Sequence, residues 1–178
     1  DASIYVASRT SEGLAGKNAT HIPFDVLQDD LPLEKLPAVI DGFAYCPGSI
    51  NLRPFKGLKP EAFTADFSIN VMGAVKTLQQ LQPLLAASEQ ASVVLFSTVA
   101  VQTGMPFHAS VAAAKGAVEG LGRSLAAEWA PKVRVNVIAP SITDTPLANR
   151  FLNNDAKKEK AALRHPLKRI GTTQDVAQ

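Results

Sequence analysis

Several side chains in this sequence carry groups that could do chemistry. The hydroxyl of Thr98 can hydrogen-bond a substrate oxygen, and the imidazole of His108 can act as a general acid. The planar guanidinium of Arg9 suits a phosphate. No activating base is marked for Cys46, which favours a small packing residue over a nucleophile. These residue types indicate two functions, proton transfer to an oxygen and the binding of an anion, provided that the fold brings the side chains together.

Short apolar runs predict the strands that must position these side chains. We expect strands at residues 4–7, 22–24, 39–44, 93–96 and 133–138. Their hydrophobicity is continuous rather than alternating, which indicates strands covered on both faces. The sequence therefore predicts an α/β fold, with a doubly wound parallel sheet between two layers of helices.

Two long helices are predicted between the later strands. Apolar residues at three- and four-residue steps predict a helix over residues 60–87, and small residues crowd a second helix over 109–130. The glycines of that second helix, Gly116, Gly120 and Gly122, each cost about 1 kcal/mol relative to alanine, which indicates close packing. The order of strands and helices over 39–138 predicts two consecutive right-handed βαβ units.

The candidate site lies at the carboxyl ends of the strands, where open parallel sheets bind their ligands. The residues there are Ser8-Arg9-Thr10, Asp25-Val26, Tyr45-Cys46-Pro47-Gly48, Ser97-Thr98 and the run from Ala139 through Pro140, Ser141, Ile142, Thr143 and Asp144 to Thr145. A proline-broken segment over 146–166 predicts a lid, in which Leu147, Phe151 and Leu152 would form an apolar wall.

The composition is typical of one soluble globular domain over residues 1–178. The chain is 46% hydrophobic and 19% charged, with a net charge of +2 and dispersed basic residues, which argues against nucleic-acid and membrane partners. A single cysteine argues against a disulfide and a cysteine-based metal cluster, so we expect no metal and a reducing cytoplasm. The chain enters a strand without an initiator Met, as expected of a fragment.

Motifs in a fixed order resemble the short-chain dehydrogenase/reductase family. They are Asn70-Val71-Met72-Gly73, Ser97-Thr98, Lys115 and Arg134-Val135-Asn136-Val137-Ile138-Ala139-Pro140. Each is weak alone, but their order is specific. The resemblance runs from the family's second strand to the helix before its last strand. It implies a Rossmann-like fold without its first βα unit and last strand, and an oxidoreductase acting on a carbonyl or alcohol.

The resemblance also implies the cofactor. Arg9 stands near the position where NAD-specific members carry an acid, so it implies NADP rather than NAD. Asp25 and Val26 match the pair that contacts adenine. The alternatives are a surface arginine at position 9 and a turn or helix cap at Asp25.

The family's Asn-Asn-Ala-Gly motif is replaced here by Tyr45-Cys46-Pro47-Gly48. Gly48 is retained and permits close backbone approach to the cofactor, whereas Tyr45 is either structural or reaches the pocket. The full set implied to bind the cofactor is Arg9, Asp25, Val26, Cys46, Pro47, Gly48, Lys115, Pro140, Ile142 and Thr145.

The tyrosine that donates the family's proton is missing. Its position, four residues before Lys115, is Val111. By resemblance, Asn70 holds a water of a proton relay, and Thr98 takes the place of the catalytic serine. Lys115 binds the nicotinamide ribose and lowers the pKa of the neighbouring proton donor. The alternatives are a solvent-facing polar residue at position 70 and a surface lysine at 115.

Replacements for the tyrosine are few. His108, one turn before Val111, is the first candidate, and its alternative is a loop histidine packed against Phe107. Ser110 or a water held by Lys115 are weaker candidates.

Three functions follow from the sequence. They are an NADP-dependent oxidoreductase with an altered proton donor, a cofactor-binding sensor or scaffold, and a purely structural subunit. We favour the enzyme, since a protein without activity would have no need to keep asparagine at position 70 and lysine at position 115. The expected partners are a small-molecule substrate and further copies of the chain, in a homodimer or homotetramer formed through the two long helices.

Overall fold

The computed structural model describes residues 2–178 and contains five strands. They are β1 (Ile4–Ser8), β2 (Ala19–Pro23), β3 (Gly42–Tyr45), β4 (Ala91–Phe96) and β5 (Val133–Ile138). All five predicted strands are present, but β2 begins earlier than predicted because the polar residues Thr20 and His21 belong to it. The third strand begins later than predicted, since exposed Val39 and half-buried Ile40 precede it. The Ile40 amide donates to the Leu84 carbonyl.

The helices confirm the predicted pattern and add one irregularity. The first long helix consists of α1 (Pro60–Phe67), a π-helical turn (Ser68–Met72) and α2 (Gly73–Ala86). The short α3 (Ala100–Thr103) precedes α4 (Ala109–Trp129), the second long helix. Towards the end of the chain lie α5 (Asp155–Ala162) and α6 (Thr173–Ala177). None of the helices in residues 2–178 is long and apolar enough to cross a membrane.

The strands form two parallel ladders. β1 pairs with β2, and β3, β4 and β5 pair in that order. In a doubly wound sheet the strands lie side by side in the order 3-2-1-4-5-6. The first strand of the chain therefore lies between the second and the fourth. If β1 to β5 correspond to strands two to six, as the resemblance implies, that place lies between the two ladders. The fold class is therefore α/β with parallel strands, as predicted.

The core surrounds β4. Ala91, Val93 and Leu95 are fully buried, and Leu85 of α2 and Ala114 of α4 pack in the same cluster. Burial on both faces was also expected of β1, but this expectation is wrong for the described residues. Ile4 and Tyr5 are 54% and 38% exposed, and turns rather than a helix connect β1 to β2.

Close packing of α4 holds for one of its three glycines. A Cβ on Gly122 would overlap the Val137 side chain of β5, so helix and strand approach closely there. Gly116 would make an ordinary contact with Val101, and Gly120 has nothing within 4 Å. The predicted reason for glycine therefore applies to Gly122 alone.

The lid segment begins with a 3-10 helix, Pro146–Ala148, and continues into α5. Leu152 is buried rather than part of an exposed wall, whereas Leu147 is exposed. The guanidinium of Arg150 lies 4.7 Å from the centre of the Phe151 ring. A parallel bridge between Thr143 and Gly171 holds the two ends of the segment together.

Candidate functional site

Lys115 and Thr98 are at the same strand end, as predicted. Lys115 lies on α4, and its Nζ donates a 2.8 Å hydrogen bond to the carbonyl of Phe96, the last residue of β4. Thr98 follows two residues later and is half-buried. Its Oγ1 accepts a 3.3 Å hydrogen bond from the Ala100 amide at the start of α3.

Gly48 brings the loop after β3 against the same side chains. A Cβ placed on Gly48 would lie 3.1 Å from Asn70 Oδ1 and 3.6 Å from Lys115 Nζ. The missing side chain therefore leaves a small cradle bounded by an amide oxygen and an ammonium group. A backbone that must approach a cofactor closely requires such a cradle, so these residues fit the implied group.

Asn70 lies in the π-helical turn and is buried, so the solvent-facing alternative is wrong. Its Nδ2 donates to the Asp66 carbonyl at 2.7 Å and to Ser49 Oγ at 3.1 Å. Within residues 2–178, its Oδ1 has no hydrogen-bond partner. The unpartnered Oδ1 beside the cradle can still accept a hydrogen bond, as the water-holding role that the resemblance gives this residue requires. π-Helical turns often occur at functional sites.

Tyr45 proves to be structural. Its hydroxyl donates a 2.6 Å hydrogen bond to the Ile69 carbonyl, inside the π-helical turn. Burial raises the pKa of this phenol well above its usual value, which makes it a poor proton donor at neutral pH. A Cβ on Gly73 would overlap the Tyr45 hydroxyl and lie 2.9 Å from Val26 Cγ2. Glycine at 73 thus lets β2, β3 and the helix meet.

Asp66 is a residue of the site that the sequence interpretation missed. This carboxylate is fully buried in α1, and its Oδ1 accepts hydrogen bonds from Ser49 Oγ at 2.6 Å and Asn51 Nδ2 at 2.8 Å. Its position near the start of a predicted helix indicates only a favourable interaction with the helix dipole. Its spacing of four residues from Asn70 was the available signal, since residues four apart share a helix face.

The electrostatics of Lys115 reflect its burial. Loss of hydration lowers the pKa of the ammonium group to about 8, and the electrostatic influence of Asp66, with a smaller one from Cys46, opposes this change. Lys115 is thus mostly protonated at neutral pH but titrates far below an exposed lysine.

Cys46 is exposed, contrary to the packing role expected for it. Desolvation by the surrounding chain nevertheless raises the pKa of its thiol, and the charge of Lys115 opposes that rise. The thiol is therefore not an activated nucleophile. Pro47, the next residue, is half-buried.

A cavity of about 350 Å³ adjoins the cradle. Its lining comes from two segments, the loop after β3 and the lid, and comprises Gly48, Ser49, Ile50, Asn51, Pro146, Leu147 and Arg150. The lid thus faces the cradle loop, with both apolar and polar side chains around the space.

The comparisons with known proteins identify the family of the chain. A family model described as "Enoyl-(Acyl carrier protein) reductase" matches residues 32–178. The chain belongs to the short-chain dehydrogenase/reductase family.

Curated relatives in this family are longer than the chain. A tropinone reductase homolog from Arabidopsis thaliana is 34% identical over 131 residues, which are 73% of this chain and 50% of the relative. The peroxisomal 2,4-dienoyl-CoA reductase SPS19 of Saccharomyces cerevisiae is 34% identical over 125 residues, 70% of this chain and 42% of the relative. The chain therefore spans about half the length of the curated relatives that it matches.

Solved structures confirm the fold. The aldohexose dehydrogenase of Thermoplasma acidophilum has a TM-score of 0.88 and 24% identity, covering 98% of this chain and 74% of its own. A gluconate 5-dehydrogenase from Burkholderia cenocepacia, in complex with NADP and tartrate, has a TM-score of 0.83 and 24% identity, covering 96% and 73%. At this identity the likeness shows the fold alone.

The position of the family's tyrosine is closed to solvent. Val111 is 3% exposed and Ser110 is 1% exposed. The Ser110 hydroxyl has no partner among the described residues, but its burial argues against contact with a substrate. The Ser97 hydroxyl is not available to a substrate either, since it donates a 2.7 Å hydrogen bond to Glu119 Oε1.

No hydrogen bond joins His108 to Lys115 within the described part of the chain. His108 is the residue before α4, and its Nδ1 forms a 2.8 Å hydrogen bond with the Pro106 carbonyl. Since a carbonyl only accepts, Nδ1 carries a proton there and Nε2 is left as the second ring nitrogen.

The predicted cofactor residues after β1 and β2 lie on the other ladder. Arg9 is exposed, and no hydrogen bond or ion pair joins it to residues 2–178. Asp25 Oδ1 accepts from the Leu27 amide at 3.0 Å, which is the turn role left open by the sequence. Val26 is buried, so only its backbone is available to a ligand.

Pro140, Ile142 and Thr145 shape the loop after β5. The Pro140 carbonyl accepts from the Val99 amide at 3.2 Å, and the Ile142 carbonyl accepts from Gly171 at 3.0 Å. Thr145 Oγ1 accepts from the Ala148 amide at 3.4 Å and begins the 3-10 helix of the lid. These bonds join the loop after β5 to the segment after β4 and to Gly171 beyond the lid, and they cap the first turn of the lid.

Proposed function

We propose that the chain provides the cofactor site of an NADP-dependent oxidoreductase that acts on a carbonyl or alcohol substrate. The observation that carries this proposal is the cradle at Gly48, bounded by the unpartnered Oδ1 of Asn70 and the ammonium of Lys115. Membership of a dehydrogenase and reductase family supports the reaction class. The substrate itself is a small molecule taken up in the cavity beneath the lid.

Each residue of the cradle has a distinct task. When bound, the nicotinamide supplies the hydride. The Lys115 ammonium donates hydrogen bonds to ribose hydroxyls, and Gly48 allows the backbone to approach. Asn70 Oδ1 holds a water that can exchange protons with the site, and the Thr98 hydroxyl orients the substrate oxygen. Protonation of that oxygen falls to His108 or to a water held by Lys115, since Val111 has no proton to give.

Turnover tests this proposal directly. Purified protein with NADPH and a panel of aldehydes and ketones should show a loss of absorbance from the reduced cofactor. Lys115→Ala should abolish it, and His108→Ala should lower it at least about a hundredfold if His108 is the proton donor, the low end for general acid catalysis. Binding of NADPH without any turnover would instead identify a sensor or scaffold, and no binding at all would leave a structural subunit.

The preference for NADP is proposed from Arg9. An exposed guanidinium at the end of β1 is free to pair with a 2′-phosphate. The fold neighbour from Burkholderia cenocepacia holds NADP, so this fold accommodates the phosphorylated cofactor. Arg9→Ala should weaken NADPH binding about tenfold or more, as expected for a charged hydrogen bond, and leave NADH binding unchanged. Equal losses for both cofactors, measured by fluorescence titration, would contradict this role.

We further propose a homodimer or homotetramer in the cytoplasm. The long helix presents exposed Phe67 and Met72, 42% and 52% accessible, and apolar groups of this kind favour association. Analytical ultracentrifugation of the wild type and of a Phe67→Ser, Met72→Ser variant tests this surface. A wild type that sediments as a monomer at micromolar concentration would contradict it. The yeast relative is named as peroxisomal, so the cell location needs its own test by fractionation.

A further inference from the structure

The carboxylate of Asp66 is an anomaly that the proposed function leaves unexplained. It is fully buried, and an ionised carboxylate is unfavourable in the interior unless it is paired and hydrogen-bonded. Ser49 and Asn51 satisfy Oδ1, but Oδ2 has no partner among residues 2–178. The charge therefore needs compensation from a cation nearby.

Asp66 belongs to one hydrogen-bonded cluster with the cradle. Asn70 Nδ2 donates to Ser49 Oγ, and Ser49 Oγ donates to Asp66 Oδ1, so a single hydroxyl joins the amide to the carboxylate. The neighbour of Ser49 is Gly48, whose Cβ position lies 3.6 Å from Lys115 Nζ. The cluster thus runs from Asp66 to the edge of the ammonium group.

Lys115 is a positive charge that, like the Asp66 carboxylate, lies largely away from water. Its ammonium is largely removed from water, and within the described residues it hydrogen-bonds only the neutral carbonyl of Phe96. The titratable groups that act on it are Asp66 from α1 and Cys46 from the loop after β3. Cys46 is a thiol of raised pKa and hence uncharged at neutral pH. Asp66 is left as the full negative charge acting on Lys115, although the two form no direct ion pair.

We propose that Asp66 is the buried counter-charge of Lys115. Held by Ser49 and Asn51, the carboxylate keeps the Lys115 amine protonated and fixes the Gly48 loop beside it. Asp66 is a positioning residue, because it acts through Lys115 and touches neither cofactor nor substrate. Only the consequence for cofactor binding rests on the proposed function, since the coupling of the two charges belongs to the chain itself.

The test measures the protonation of Lys115 without cofactor. Carbon-13 NMR of the lysine Cε groups over a pH series, with the Lys115 signal assigned by its loss in Lys115→Met, gives its pKa in each variant. Asp66→Asn should lower that value by about one pH unit or more, the effect of removing one nearby opposite charge. Glu61→Gln is the matched control, because it removes an equal charge from an exposed position of the same helix and should leave Lys115 unchanged. An unchanged Lys115 titration in Asp66→Asn would overturn the proposal, whatever happens to activity.

A variant that fails to fold is also informative. If Asp66→Asn is unfolded, the double variant Asp66→Asn, Lys115→Met should fold, because both buried charges are then gone. Failure of both variants to fold would show that the carboxylate is needed regardless of Lys115, and would overturn the proposal.

Cofactor binding adds a readout that separates this inference from the proposed function. In Asp66→Asn, the pH above which NADPH binding weakens should be lower than in the wild type. The decrease should equal the decrease in the pKa of Lys115 measured by NMR. A wild type that binds no NADPH would refute the proposed function, yet the NMR titration would still decide the counter-charge.

Discussion

Lys115 holds its charge in a largely dehydrated position, and this makes the site sensitive to pH. Because its pKa is lowered to about 8, the ammonium form is complete well below that pH and is lost as pH rises through it. NADPH affinity should therefore fall about tenfold for each pH unit above about 8, where the amine becomes neutral.

Fluorescence titration of NADPH from about pH 7 to about pH 10 measures this decline. Lys115→Arg is the control, since a guanidinium stays protonated over the whole range and should give a flat profile even if its affinity is weaker. The same decline in Lys115→Arg would assign the pH dependence to another group.

The residues of the candidate site could be predicted from the sequence in part. Gly48, Asn70 and Lys115 were identified from residue type and order, and the structure brings them together. Asp66 was missed, because a carboxylate near the start of a helix is usually solvated and its four-residue spacing from Asn70 does not by itself indicate burial. Its burial depends on Ser49 and Asn51, which reach it from a loop whose path the sequence does not reveal.

Among the secondary-structure elements, α4 offers a direct comparison of two glycines. A Cβ on Gly122 would collide with Val137, whereas a Cβ on Gly120 would meet no atom of the chain within 4 Å. Gly122→Ala should therefore destabilise the fold by about 1–3 kcal/mol through overpacking. Gly120→Ala should stabilise it by up to about 1 kcal/mol, because alanine is the better helix former.

Urea denaturation of both variants measures the difference in the free energy of unfolding. Equal effects of the two substitutions would show that α4 does not approach β5 as closely as the structure indicates. A destabilising Gly120→Ala would place that residue against another surface, such as a second copy of the chain.

The elements were predicted best where the sequence signal is local. β5 was predicted at its observed bounds because its apolar run is unbroken except for Arg134 and Asn136. The start of β2 was missed because Thr20 and His21 are polar. His21 compensates by hydrogen bonds from its ring to Ser8, which only the pairing with β1 creates.

For the whole molecule, the two ladders differ in how well they are covered. Among residues 2–178, β4 lies between two strands and its alternate residues are fully buried, whereas β1 pairs with β2 alone and is mostly exposed. Local opening should be easier where few apolar contacts are lost, so the amides of β1 and β2 should exchange with solvent at least about tenfold faster than those of β4.

Hydrogen–deuterium exchange followed by mass spectrometry tests this difference. Equal protection of both ladders would mean that they open as one cooperative unit, despite the exposure of Ile4 and Tyr5.

The π-helical turn at Ser68–Met72 also determines how α1 is rotated about the helix axis relative to α2. Successive residues of an α-helix are rotated by about 100°, so a one-residue deletion that regularised this turn would turn α1 by roughly that angle relative to α2. Asp66 would then leave Ser49 and Asn51 although every residue of the cluster was still present. In this stretch, changes of length should be tolerated less well than changes of side chain.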